Sequence, residues 1–146
     1  MSISYCEIYN ELIRDLLRPS AGPLELREDN RGNQIVNGLS EINALSRFEV
    51  IALLLKGNKA RTVEPTAANQ TSSRSHALLN ITVTRSTPLG TKQGRLYLTD
   101  LAGSERVSKT KNRGKRLQEG AHINKSLLAL GNCINGKNLN ILYLET

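Results

Sequence analysis

The chain has 146 residues, 38% of them hydrophobic and only 3% aromatic, with no Trp and a net charge of +7. That length holds one domain with a core and is too short for two ordinary ones, and the apolar content is lean for an isolated domain. The charge is lopsided. Residues 1–60 carry 7 basic and 8 acidic side chains, and residues 61–146 carry 13 and 5, so the whole basic excess lies in the second half. A basic half calls for an acidic partner, and composition alone leaves nucleic acid, an anionic membrane and an acidic protein surface open. Cys6 and Cys133 are far apart with no CxxC, which argues against zinc and for two small buried apolar groups in a reducing compartment. No apolar run approaches the roughly 20 residues of a membrane span, and no secretory signal opens the chain, so the expectation is a soluble intracellular protein.

In chain order, ISYCEIYN has the Ile and Tyr content of a strand, and ELIRDLL continues with Leu12, Ile13, Leu16 and Leu17 at helical spacing up to Pro19. LELRED and QIVNGLSEI predict two short strands around a DNRGN hairpin tip. Ser46 and Glu49 form a capping box that opens a helix, with Phe48, Ile51, Leu54 and Leu55 as its apolar stripe and Gly57 or Asn58 beginning its end. VEPTAANQTSSRSH is a polar loop. ALLNITVT alternates, with Leu79, Ile81 and Val83 on one face and Asn80, Thr82 and Thr84 on the other. PLGTKQG is a turn, and GRLYLTDLAG is a strand ending at Asp100, three residues before Gly103. SKTKNRGKR is an apolar-free loop. LQEGAHINKSLLALGNCIN predicts a helix with Leu117, Ala121, Leu127 or Leu128, and Ile134 on one side. GKNLNILYLET fits nothing before it.

The near-match GNCINGKN to the phosphate pattern G-x-x-x-x-G-K-[ST] is an accident of spacing. Asn138 replaces the hydroxyl, and the motif closes a helix instead of opening one after a strand. His76 and His122 have no adjacent nucleophile and read as structural. Asp15, Glu25, Glu28 and Asp29 read as solvated charges.

Two polar motifs carry more. YLTDLAGSER delivers a carboxylate at a strand end, with a Gly whose amide can approach a phosphate. NQTSSRSH puts three hydroxyls and an Arg on one loop, a set suited to Mg²⁺, water or phosphate. Each alone is weak. Together they resemble the kinesin motor domain. NQTSSRSH resembles its switch I, DLAGSER its switch II, EGAHINKSLLALGNCI the helix after switch II, and SYCEIYNELIRDLL a central strand upstream. The resemblance covers about residues 3–135 and is most like the kinesin-8 family, in its kinesin-19-like branch.

The resemblance implies an α/β fold: an incomplete part of the kinesin motor, a P-loop-NTPase-like mixed sheet flanked by helices. It implies a partial motor domain over 1–135 and a divergent tail over 136–146. It implies that Ser73 ligates Mg²⁺, Ser72 positions the attacking water, Asn69 lies near ATP, Asp100 holds Mg²⁺ through water and Gly103 senses the γ-phosphate. Arg74 and Glu105 would form the salt bridge that closes the switches. Lys109, Lys111, Arg113, Lys115, Arg116 and Lys125 would face the microtubule. The partner would be acidic tubulin, with no specific nucleic acid and no membrane, and any homodimer would form through other segments. The setting would be the cytoplasm and cytoskeleton, with the cilium following from the branch. The phosphate loop is expected before residue 1 and a YRDSKLTRLL-like segment after residue 135. The strand carrying DLAG would then have an unpaired edge. The alternative is a non-catalytic microtubule-binding piece or a truncated, inactive product.

Overall fold

The computed structural model describes residues 1–62, 74–88, 90–104 and 115–136. Its residues fall into two units, Met1–Ala102 and Gly103–Thr146. Among its described residues the first unit holds seven strands, a short 3-10 helix at Pro19–Ala21 and one α-helix. In chain order the strands and the α-helix are β1 Ser2–Tyr9, β2 Leu12–Asp15, β3 Pro23–Glu28, β4 Gln34–Asn37, β5 Ile42–Asn43, helix α1 Arg47–Thr62, β6 His76–Thr87 and β7 Gly90–Asp100. The sheet runs β4-β3-β2-β1-β6-β7, with β5 beside the start of β1. Every described strand pair is antiparallel. The second unit contains helix α2, Lys115–Gly136.

Local sequence explains the turns. Tyr9 pairs with Leu12, so Asn10 and Glu11 make a two-residue hairpin, and both have positive φ, 49° and 64°. That is the type I′ geometry whose twist matches the strands it joins. The run ELIRDLL is therefore not helical. Leu12 and Ile13 belong to β2, whereas Leu16 and Leu17 lie past its end in a bend. Asp15 makes that bend. Its Oδ1 accepts from the N–H groups of Leu17 and Arg18 at 2.8 and 3.0 Å, and its Oδ2 accepts from Ser40 N–H at 2.8 Å. Asp15 is buried, not solvated, because three amides replace its water. The expected hairpin at DNRGN is present between β3 and β4. Asp29 Oδ1 accepts from the N–H groups of Arg31 and Asn33, and its Oδ2 accepts from the Asn33 side chain. These bonds hold its carboxyl below the ordinary range, the Asn33 side chain contributing most.

The capping box also forms. Ser46 Oγ accepts from Glu49 N–H at 3.2 Å, and the Glu49 carboxylate reaches back to Leu45 N–H at 2.9 Å. The stripe turned to the sheet differs from the expected one. Val50, Leu53, Leu54 and Ala60 pack on Ile3, Tyr5, Leu16, Leu17, Ala44, Ala77 and Leu79. Phe48, Ile51 and Leu55 are exposed, Phe48 by 81%. The helix carries apolar residues on two faces, and sequence periodicity did not separate them. α1 also runs through Gly57 and Asn58 to Thr62. Gly57 is a contact residue: a Cβ there would lie 2.2 Å from the Tyr5 ring. The Tyr5 hydroxyl donates to Asn58 Oδ1 at 2.8 Å, which fixes the ring under the helix.

β6 and β7 pair without interruption from Ala77↔Asp100 to Thr87↔Gly90, so Gly90 to Gln93 extend the strand where a turn was expected. On β6, Leu79 is in the core and Ile81 packs against it, but Val83 is exposed and Thr82 is buried. Cys6 is buried and its thiol is pushed up to about 11, first by burial and then by Asp15, whereas Cys133 is exposed and does not fill a core. In α2 the helix begins two residues before Leu117, so Lys115 and Arg116 belong to it and not to the loop. Ile123 is buried, and Ala121, Leu128 and Ile134 are exposed, which rotates the buried stripe from the expected one.

The Gly57–Tyr5 contact sets the sign of one substitution. Gly57→Ala should gain about 1 kcal/mol from helix propensity. The clash with a ring held at its hydroxyl costs more, roughly 1–3 kcal/mol. Urea denaturation should therefore show a net loss of stability, and Tyr5→Leu in the same chain should return part of it. A stabilised Gly57→Ala variant would refute the close contact.

Candidate functional site

The register of three strands places Glu7, Ala77 and Asp100 side by side, since Glu7 pairs with Ala77 and Ala77 with Asp100. Paired residues in neighbouring strands share a face. The next two rows on that face, Tyr5–Leu79–Leu98 and Ile3–Ile81–Leu96, are apolar and lie towards α1. The sheet thus ends its apolar surface in one acidic row whose middle member is small.

Arg61, in the last turn of α1, answers that row. Its Nη1 donates to Asp100 Oδ2 at 2.5 Å, its Nε to Ser75 Oγ at 3.2 Å and its Nη2 to Ser75 O at 2.8 Å. Its Nε also lies 3.8 Å from Glu7 Oε1. The Arg61 and Glu7 side chains are only 8% and 6% exposed, while that of Asp100 is 70% exposed. Glu7 Oε1 accepts no hydrogen bond among the described residues, so the nearby guanidinium charge is its compensation. The planar fork suits this position because it serves a carboxylate, a hydroxyl and a carbonyl from one plane. One neighbouring bond fastens the chain after β7: Ala102 N–H donates to His76 Nδ1 at 3.2 Å. The His76 pKa is held below the ordinary imidazole value, chiefly by burial and then by the Arg61 charge.

The residues expected from sequence distribute unevenly. Asp100 stands at the end of its strand, as expected, and is the one expected residue in this cluster. Arg74 is half-buried and Gly103 is exposed, each in its own unit. Asn69, Ser72, Ser73, Glu105, Lys109, Lys111 and Arg113 lie outside the described residues. Lys115 and Arg116 begin α2, and Lys125 is exposed ten residues on. Sequence reading missed Arg61 and Glu7. The available signal was acidic: Glu7 late in one apolar strand and Asp100 at the end of another call for a cation.

The described residues do not by themselves form a Mg²⁺ site. No three His, Cys, Asp or Glu side chains converge among them, and one oxygen of Asp100 is taken by Arg61. A Mg²⁺ ion needs a near-octahedral oxygen set. The cluster fixes the end of β7 to the end of α1.

Three comparisons place the chain among known proteins. A sequence model described as the Kinesin motor domain matches residues 1–140. The human Kinesin-like protein KIF19 is 56% identical over 156 aligned residues, covering 100% of this chain and 16% of that protein. Kinesin-like protein KIN-8B of Arabidopsis thaliana is 50% identical over 137 residues, covering 92% of this chain and 17% of that protein. Among solved structures, one described as "Structure of a fast kinesin: Implications for ATPase mechanism and interactions with microtubules" superposes with a TM-score of 0.78 at 45% identity, covering 96% of this chain and 41% of that one. The chain therefore spans about a sixth of the length of these curated relatives.

Two measurements test the cluster. Arg61→Met should leave Glu7 buried and uncompensated, costing about 3–5 kcal/mol, and Glu7→Gln added to it should recover part of that loss. Equilibrium unfolding of the four chains reads the coupling, and strict additivity would contradict it. For pH, the unfolded chain binds a proton at His76 near pH 6.5 while the folded chain resists it to lower pH. The stability from neutral His76 is therefore complete above that pH and is lost as pH falls through it towards the folded value. His76→Asn should flatten this part of the stability profile, and an unchanged slope between neutral and mildly acidic pH would rule it out.

Proposed function

The chain belongs to the kinesin motor-domain family, and from that premise we propose that its residues serve an ATP-driven microtubule motor of the kinesin-8, kinesin-19-like kind. In that role Asn69, Ser72, Ser73 and Arg74 form the loop that meets nucleotide, with ATP and Mg²⁺ as cofactors. Asp100, Gly103 and Glu105 form the second nucleotide-sensing segment. The observation that carries this reading is the Arg61 bond to Asp100. NQTSSRSH ends at Ser75 and His76, DLAGSER begins at Asp100, and the Arg61 guanidinium binds both Ser75 and Asp100. A displacement at Asp100 is thereby felt where the first segment ends. Two segments that must respond together to one ligand need such a shared anchor, because closure is a matter of positioning.

The other half of the role is attachment. Lys109, Lys111 and Arg113 precede α2 in sequence, Lys115 and Arg116 begin it and Lys125 lies ten residues on, six positive charges with no acidic residue in that helix's first turn. Acidic tubulin is the partner this charge suits. The attraction speeds encounter and weakens with salt. The basic loop has no aromatic side chain for base stacking, which disfavours nucleic acid. No helix among the described residues is long and apolar enough to cross a membrane. The microtubule cytoskeleton is the setting that follows, and the cilium is the setting suggested by the branch.

The 146 residues contain no G-x-x-x-x-G-K-[ST] sequence. On their own we expect them to attach to microtubules and to hold ATP weakly. The second reading, a non-catalytic microtubule-binding piece, rests on this same sequence fact. Co-sedimentation of the chain with microtubules should show salt-sensitive binding. Reversing the charges of Lys109, Lys111, Lys115 and Arg116 should weaken it at least about tenfold at low salt. Binding untouched by that reversal would sink the attachment reading. A fluorescent ATP analogue titrated into the same chain should show no tight saturable site, and low-micromolar affinity would overturn that part.

A further inference from the structure

A recess of about 470 Å³ lies between the β1–β2 hairpin, the Pro19–Ala21 turn and the C-terminal half of α1. Every residue that lines it falls between Glu7 and Ala60. β1 and β2 are inner strands, each paired on both sides, so the recess owes nothing to an open sheet edge. Leu16, Pro19, Pro23 and Ala60 give it an apolar wall. Glu7, 4% exposed, belongs to its inner part. Lys56 and Lys59, about one turn apart on α1 and both exposed, belong to its rim.

The charged groups of the lining differ in what they still lack. Asp15 is fully used, since three backbone N–H groups bind its two oxygens. Arg14 stands opposite Glu7 in the β1–β2 register. Glu7 Oε1 is buried and accepts no hydrogen bond among the described residues, and Arg61 Nε, at 3.8 Å, is too distant to donate one. Among the described residues no carboxylate pairs with Lys56 or Lys59. The recess thus offers one unmet acceptor inside and two unmet cations outside, with an apolar wall between them.

We propose that this recess binds a small hydroxylated organic acid, whose hydroxyl donates to Glu7 and whose carboxylate lies between Lys56 and Lys59. Its volume falls in the range of ligand pockets, roughly 300–1,000 Å³, and its make-up is theirs: apolar walls with a few placed polar groups. The inner group of the ligand must be a donor, because Glu7 has an oxygen to fill. It must be neutral, because Arg61 already supplies the charge and two lysines guard the entrance to a second cation. The outer group must be an anion, for the same two lysines. A single water, about 30 Å³, satisfies the oxygen and leaves the apolar wall wet. Occupancy gives Glu7 the bond it lacks and leaves Arg61 on Ser75 and Asp100.

The test uses the 146-residue chain and three probes: 4-hydroxyphenylacetate, phenylacetate, which lacks the donor, and tyramine, which has an ammonium in place of the acid. In an NMR titration 4-hydroxyphenylacetate should shift the amide resonances of Leu16, Lys56, Lys59 and Ala60 saturably, with the millimolar or better affinity that a ligand of its size reaches. Phenylacetate and tyramine should each bind roughly fivefold or more weakly, the worth of one lost hydrogen bond or charge contact. Lys56→Gln combined with Lys59→Gln, at two exposed positions, should leave circular dichroism unchanged, weaken the acid by a similar factor and strengthen tyramine. If the double variant fails to fold, the comparison of the three probes on the unaltered chain decides. No saturable shift at those residues overturns the proposal. So does phenylacetate or tyramine binding as tightly as the hydroxylated acid, or a folded double variant that binds the acid undiminished.

Discussion

A buried guanidinium shared between two carboxylates decides how α1 sits on the sheet. Isolated, either charge would be costly to bury, and the arrangement is tolerable because Arg61 satisfies Asp100, Ser75 and the field of Glu7 together. The contact acts with a second one a turn earlier, where Gly57 admits the Tyr5 ring and Asn58 accepts its hydroxyl proton. Residues 57, 58 and 61 lie on one side of the helix, so β1 is gripped by a ring contact and a charge contact about one helical turn apart. Apolar packing of Val50, Leu53 and Leu54 supplies burial, but it is non-directional. The polar pair supplies the rotation and height of the helix.

Features governed by neighbours in sequence were legible. The Ser46–Glu49 cap, the Asp29 turn and the existence of the β6 strand all follow from residues a few positions apart. Features governed by distant neighbours were not. Leu12, Ile13, Leu16 and Leu17 mimic a helical repeat because a strand and a bend happen to be joined at Asp15, whose third partner, Ser40, is remote in sequence. The α1 stripe was misassigned because Phe48, Ile51 and Leu55 are as apolar as the residues that face the sheet. Motif reading reached Asp100 through its strand-end position and could not reach Arg61, which belongs to no motif and acquires its meaning from the register of three strands.

The row Glu7–Ala77–Asp100 also constrains how such a sequence can change over generations. Enlarging Ala77, buried between the two carboxylates, crowds the row, removing Arg61 strands Glu7, and neutralising Glu7 first leaves a buried cation with one exposed carboxylate. Each single step is unfavourable before the others have been taken. Four positions on four separate elements are therefore locked as a group, and descendants would be expected to keep all of them or to replace them together.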